Sequence, residues 1–210
     1  MLHPKTELRF ISPEVGYGVF ATEFIPQGTI TYIKDSLEME VSPTAYLLHP
    51  PAMQEVIEKY SYIDERGYRI VSWDFAKYIN HCCNCNSMST GYGFEIAIRD
   101  IQAGEEITDE YGIFNLTESM ELICNKGLCR KMLRPEDFDN LYPEWDKKLQ
   151  LALANFQAVE QPLADFIDEP TRKALYAYFK DATQYRSVYA LKYHKASNGA
   201  AVNAAKEVSR

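Results

Sequence analysis

A chain of 210 residues, 46% apolar and 25% charged, is long enough for one well-buried core and has the balance of a globular protein, not a disordered or collagen-like one. The net charge of -8 argues against a phosphate-backbone binder, which needs clustered Lys and Arg, and suits a basic peptide as partner. No run of about 18 uninterrupted apolar residues exists, and Met1 to Phe10 carries His, Lys, Glu and Arg, so neither a membrane span nor a signal peptide is expected. The five cysteines are odd in number. Three crowd together as Cys82, Cys83 and Cys85, which fits a reducing, cytoplasmic setting better than a disulfide framework.

From Leu8 to Ile33 the pattern predicts three short strands: Leu8 to Ile11, Gly16 to Ala21 and Thr29 to Ile33, with Pro26 to Gly28 as a turn. Met53, Val56, Ile57 and Tyr60 fall at helical spacing and predict one helix after Pro51, because Pro50 and Pro51 break any helix begun before them. Gly67 to Val71 and Phe94 to Ile98 read as strands, and Gln102 to Glu105 as a turn feeding a last strand, Glu106 to Thr108. Beyond about residue 115, apolar residues at helical spacing in Trp145 to Val159 and Thr171 to Leu191 predict a helical C-terminal third. Its aromatic stripe of Tyr176, Phe179, Tyr185, Tyr189 and Tyr193 reads as a packing surface against the β part or another subunit, not as a ligand cage. Ala196 to Arg210 is expected to be a frayed tail. The boundaries are thus 1–115 for a β-rich domain, 116–195 for the helical part and 196–210 for the tail.

Three segments carry chemistry. Gly16-Tyr17-Gly18 is by itself either a tight turn or a place where backbone amides approach a ligand. Asn80 and His81 open the segment Asn80-His81-Cys82-Cys83-Asn84-Cys85-Asn86, and Gly104-Glu105-Glu106 leads to Tyr111-Gly112. In this order and spacing the three resemble the SET-domain protein lysine methyltransferases, in their compact, bacterial or viral-like form. The resemblance covers roughly Leu8 to Phe114, with softer echoes at Ile25 to Ile30 and Tyr62 to Asp64.

That resemblance implies an α+β fold of small β-sheets with a pseudoknot, followed by a helical C-terminal region. It implies that Gly16, Tyr17, Gly18, Asn80 and His81 bind S-adenosyl-L-methionine and that Tyr111 is the catalytic tyrosine, orienting the substrate amine. It further implies a lysine-containing protein or peptide as substrate. The acidic charge and the lack of a long apolar run give the expectation of no direct nucleic acid and no membrane, and the aromatic stripe leaves a homodimer through the C-terminal helices open. Tyr32 and Tyr62 are candidates for the walls of a lysine channel. The chemistry suits such residues: a lysine ammonium with a pKa of about 10.4 costs about 4 to 5 kcal/mol to neutralise at pH 7, and an apolar, tyrosine-lined channel facing a sulfonium lowers that cost by desolvation and charge repulsion.

The chain also departs from the family pattern. Lys77, Cys82 and Cys85 replace the usual Arg, Ser and Pro, and Asp109 stands where many relatives carry a Phe or Tyr that limits the number of methyl groups, so the product state is open. Cys83, Cys124 and Cys129 have the spacing of a zinc site, but Leu122 takes the place of its fourth cysteine, so zinc is not favoured over ordinary thiols. Glu105 and Glu106 are expected to be structural acids before a strand. Two rival readings are a catalytically inactive SET-like peptide-binding module and a metal or redox protein centred on the cysteine cluster. The intact Tyr111 counts against the first.

Overall fold

The structure, a computed structural model, describes residues 1–123 and 129–194; the expected tail and Cys124 lie outside the described residues. The chain opens with an antiparallel hairpin of β1 (Thr6–Ser12) and β2 (Gly16–Ala21), turned at Gly16, whose φ of +83° suits glycine. Strand β2 buries Val19 and Ala21, whereas β1 lies at the sheet edge with Leu8 and Phe10 exposed. Next comes β3 (Ile30–Ile33), buried at every position, and then β4 (Met39–Val41).

Two helices follow where the sequence predicts one. Helix α1 (Pro43–Leu48) starts because the Ser42 side chain accepts the Ala45 N–H and Pro43 sits in the first turn, where a missing N–H costs nothing. Pro50 and Pro51 end it and restart α2 (Pro51–Tyr60), which buries Ile57. Strands β5 (Ser61–Ile63) and β6 (Arg69–Val71) complete a small sheet in the order β4-β6-β5.

The chain then forms β7 (Asn80–His81), β8 (Ser87–Ser89), β9 (Phe94–Ala97) and β10 (Glu106–Asp109). One sheet has the order β3-β9-β8 and the other β1-β2-β10-β7. Strand β10 is central in the second. It runs antiparallel to β2, with Ile107 opposite Val19, and parallel to β7, with Thr108 opposite Asn80 and Asp109 opposite His81. This pairing sets the segment around residue 80 beside the segment around residue 110, the juxtaposition the implied pseudoknot requires. A two-stranded ribbon of β11 (Met120–Glu121) and β12 (Met132–Leu133) leads into the helices.

Helix α3 (Asp137–Leu153) buries Phe138, Trp145, Leu149, Ala152 and Leu153 along one face. That face packs into a core shared with Ile30, Met88, Phe94 and Ile96 of the sheet, and each such side chain contributes about 1.5 to 3 kcal/mol on burial. Helix α4 (Glu169–Lys180) is capped by Asp168, which accepts the Thr171 N–H. The helical spacing that runs on to Leu191 is not followed: Asp181 is extended, at φ -145°, and its carboxylate accepts the Thr183 N–H, starting a separate 3-10 turn. A second 3-10 turn, Val188–Leu191, follows. The other expected helix also shifts, ending at Leu153 and starting well before Trp145. Within the aromatic stripe, Phe179, Tyr185 and Tyr189 pack on the shared core, whereas Tyr176 is 54% exposed.

Candidate active site

Strand β10 is what assembles the site. Asn86, fully buried, takes the place of a neighbouring strand: its Oδ1 accepts the Thr108 N–H at 2.9 Å and its Nδ2 donates to the Glu106 carbonyl at 2.8 Å. Asn80 Nδ2 donates to Glu106 Oε1 at 2.8 Å and to the Tyr17 carbonyl at 3.1 Å. This explains the second glycine of the Gly-Tyr-Gly turn. A Cβ on Gly18 would lie 2.7 Å from Glu106 Oε1, 3.0 Å from Asn80 Nδ2 and 2.6 Å from Ile11 Cδ1, so a larger residue here would push these side-chain ends out of their present places. Gly16 serves the turn alone, with open space where its Cβ would be.

His81 is held in place by the same strand. Its Nδ1 lies 3.0 Å from the Asp109 carbonyl oxygen and 3.2 Å from the Tyr111 amide nitrogen, and its Nε2 lies 3.3 Å from Cys83 Sγ. Burial, reinforced by the Arg130 guanidinium, lowers its pKa from 6.5 to about 4, so the ring is neutral near pH 7. The Tyr111 ring lies 5.5 Å from that imidazole, and its hydroxyl donates to the Ile79 carbonyl at 2.5 Å. Burial, with the nearby carboxyls of Asp109 and Glu95, pushes the phenol pKa up, so Tyr111 stays protonated.

Two cavities meet at this point. The smaller, about 480 Å³, is lined by Tyr111, Ile79 and Asp109; the larger, about 580 Å³, reaches Gly91, Phe166 and Arg186. Tyr32, Tyr62, Ile63, Glu95 and Phe114 line both, so the two spaces share a waist of aromatic rings, one aliphatic side chain and one carboxyl. Phe114 stacks on Tyr62 at 5.2 Å and lies 5.3 Å from the Tyr111 ring. The Tyr32 hydroxyl donates to Glu38 at 2.6 Å.

The structure therefore brings Tyr17, Gly18, Asn80, His81 and Tyr111 together. None of Gly16, Tyr17, Gly18, Asn80 and His81 lines either cavity; they form the wall behind the smaller one. The wall is continuous with that cavity through aromatic contacts, Tyr17 to Tyr78 at 5.8 Å and Tyr78 to Tyr60 at 5.6 Å, because Tyr60 is a lining residue. Glu106 bonds Asn80, and Glu105 pairs with Arg99 at 2.6 Å.

Sequence reasoning missed Glu95. It sits in an otherwise apolar, fully buried strand, and an acid in such a strand was the available signal. Asp109 was noted only as a departure from a pattern. The two carboxyls are hydrogen-bonded to each other. Burial raises the Glu95 pKa to about 7, and burial together with the Glu95 charge drives that of Asp109 well up, so the pair shares a proton near neutral pH.

Around the cysteines, Cys83 Sγ accepts the Arg130 backbone N–H at 3.3 Å and Cys129 Sγ that of Lys131 at 3.3 Å. Glu110, buried behind Tyr111, pairs with Arg130 at 2.5 Å. Among the described residues no cluster of three or more His, Cys, Asp or Glu is placed to hold a metal ion, and no helix is long and apolar enough to cross a membrane.

No curated protein matches the sequence. Many solved structures do, among them one from Plasmodium falciparum described provisionally as a histone methyltransferase, at 19% identity and a TM-score of 0.37, over 52% of this chain and 95% of that one. A likeness that distant has no bearing on activity. The family model described as SET domain matches residues 16–112, a stretch that begins at the glycine turn and ends one residue after Tyr111. With all three motifs joined on one central strand inside that stretch, residues 16–112 of this chain are a SET domain.

Proposed function

We propose that the chain is an S-adenosyl-L-methionine-dependent protein-lysine N-methyltransferase. The observation that carries this reading is the position of the Tyr111 hydroxyl, fixed by the Ile79 carbonyl in the wall of a cavity that meets a second cavity at an aromatic waist. Two spaces that join at Tyr62, Phe114 and Glu95, with the Tyr111 phenol on the smaller side, suit a reaction between two ligands. Each volume lies within the range of about 300 to 1,000 Å³ usual for small-molecule sites.

The residues present fit the cofactor. The smaller cavity offers oxygen atoms where a cationic ligand needs them, from Tyr111, Ile79 and Asp109, and Gly18 leaves the backbone around Asn80 free of side-chain bulk. Tyr17, Asn80 and His81 stand behind the lining, Asn80 and His81 being bonded to strand β10, which carries part of it, and Tyr111 would sit at the cofactor's reacting end. When bound, the cofactor supplies a methyl group already attached to a good leaving group. The work left to the chain is alignment. Tyr111 holds its hydroxyl in one direction through Ile79, and the rings of Tyr32, Tyr62 and Phe114 line the waist. His81, uncharged, contributes no positive charge that would repel a cationic ligand.

The larger cavity would take the lysine-bearing segment, which reaches the waist by its long side chain. Incubating the protein with methyl-labelled cofactor and a whole-cell lysate, followed by mass spectrometry, tests the reading. Label on lysine residues of acceptor proteins is the expected result, and its absence with a folded, cofactor-binding protein would defeat the proposal.

A further inference from the structure

The Glu95 carboxyl lies where the two cavities join, and Asp109, only 1% exposed, lines the smaller one. One of the Asp109 oxygens, Oδ1, accepts the Glu110 N–H at 2.7 Å; apart from the Glu95 carboxyl, Oδ2 meets no hydrogen-bond partner among the described residues. A buried acceptor short of donors costs about 1 to 3 kcal/mol, and a pair that shares only one proton leaves such a shortfall for a ligand to meet. Around the pair stand Tyr111 and Phe114 on the smaller cavity and Tyr32 and Tyr62 at the waist, rings whose faces attract a cation. The other groups that act on the pair are the Ser87 hydroxyl, 3.4 Å from Glu95 Oε2, the Glu110 and Asp74 carboxylates and, opposing them, the N-terminal ammonium of Met1, which is already paired with Asp35.

We infer that this acid pair is the seat of the substrate's ammonium and the acceptor of its proton. The inference rests on the methyltransferase reading and adds to it a named base. With one proton already shared, the pair carries a single negative charge, which holds the incoming ammonium by a charge-assisted hydrogen bond. The N–H bond then breaks with its electrons left on nitrogen, the proton passes to the carboxylate oxygen, and both acids are protonated while the amine is neutral. After the product leaves, the proton returns to water through the smaller cavity. The shared proton near neutral pH makes the pair a suitable partner for that exchange.

The test uses the full-length protein, labelled with 13C at the Glu and Asp carboxyls and titrated in NMR with N-acetyl-lysine amide or N-acetyl-norleucine amide. The pair's carboxyl resonances, assigned by loss in Glu95→Gln and Asp109→Asn, are expected to shift with the lysine compound at a concentration roughly tenfold or more below that needed for norleucine. Equal response to the two compounds in the wild-type protein would overturn the inference, and that comparison does not depend on either variant folding. A doubly neutralised Glu95→Gln, Asp109→Asn protein that keeps the lysine preference would overturn it as well. The methyltransferase reading fails separately, by absence of cofactor binding and of labelled product, and neither result enters the amine titration.

Discussion

The β-rich part and the C-terminal helices hold their residues in place by different means. In the first, positions are set by backbone pairing: Asn80, His81 and Thr108 lie where β7 and β10 meet, and a one-residue slip would turn every side chain to the other face. In the second, positions are set by packing and a few side-chain anchors, chief among them Asp146. Its carboxylate accepts hydrogen bonds from the hydroxyls of Tyr185 and Ser187 and from the Val188 N–H, tying the last turns back onto α3. The strands thus fix the reacting groups, and the C-terminal part supplies one wall of the larger cavity through Phe166, Ile167 and Arg186, which lie outside α3 and α4. A site built this way should lose chemistry when a strand residue is changed and lose stability when a helix residue is changed.

The largest effect that separates the two is expected from Tyr111→Phe. Removing the hydroxyl should lower methyl transfer by about 100-fold or more while leaving the fold and the cofactor affinity nearly unchanged, read by labelled transfer and calorimetry. On the helical side, Trp145→Ala should cost about 3 to 5 kcal/mol in a urea melt, because its ring is 3% exposed in the shared core and contacts Phe138 edge-on. A loss below 1 kcal/mol would mean that the helices are an appendage and not part of one core.

A pH titration of stability sharpens the strand side. His81 has its pKa depressed to about 4 in the folded chain against 6.5 unfolded, so the unfolded chain takes up its proton first as pH falls. The contribution is complete above about pH 6.5 and is lost on the way down to pH 4, up to about 3 kcal/mol, with His3 acting in the same direction. His81→Gln should flatten that decline.

Smaller again is the joint between the two parts. Gly91 lies against the last turns so closely that an added Cβ would sit 2.3 Å from the Ser187 carbonyl oxygen and 2.5 Å from that of Arg186, so Gly91→Ala should cost about 1 to 3 kcal/mol by thermal melt. The smallest effect is at a cap: Asp168→Ala should cost about 1 kcal/mol, and a circular dichroism melt reads it.

What could be read beforehand follows the same division. The three motifs were legible because each demands particular residue types at short range: a turn glycine, an Asn-His pair, a tyrosine after an acidic turn. The role of Gly18 was not, since its need arises from Asn80 and Glu106, which arrive from 62 and 88 positions away. The acid pair was hidden for a related reason: Glu95 and Asp109 lie in different sheets, and nothing local links a lone acid in an apolar strand to a residue fourteen positions on. Helix α1 was missed because two prolines were weighed as breakers, while Ser42 and Pro43 had already provided a start. At the other end, periodicity past Lys180 outlived the helix because Asp181 offered the backbone a rival partner at Thr183.

The central placement of β10 bears on how the molecule is made. Both of its neighbours, β2 and β7, are synthesised earlier and wait with an unpaired edge until residues 106–109 leave the ribosome. Half the polypeptide is therefore made before the sheet can close, and open edges of that kind invite pairing with other nascent chains. Truncations ending before residue 106 should be insoluble in expression trials, and those that retain it should gain solubility.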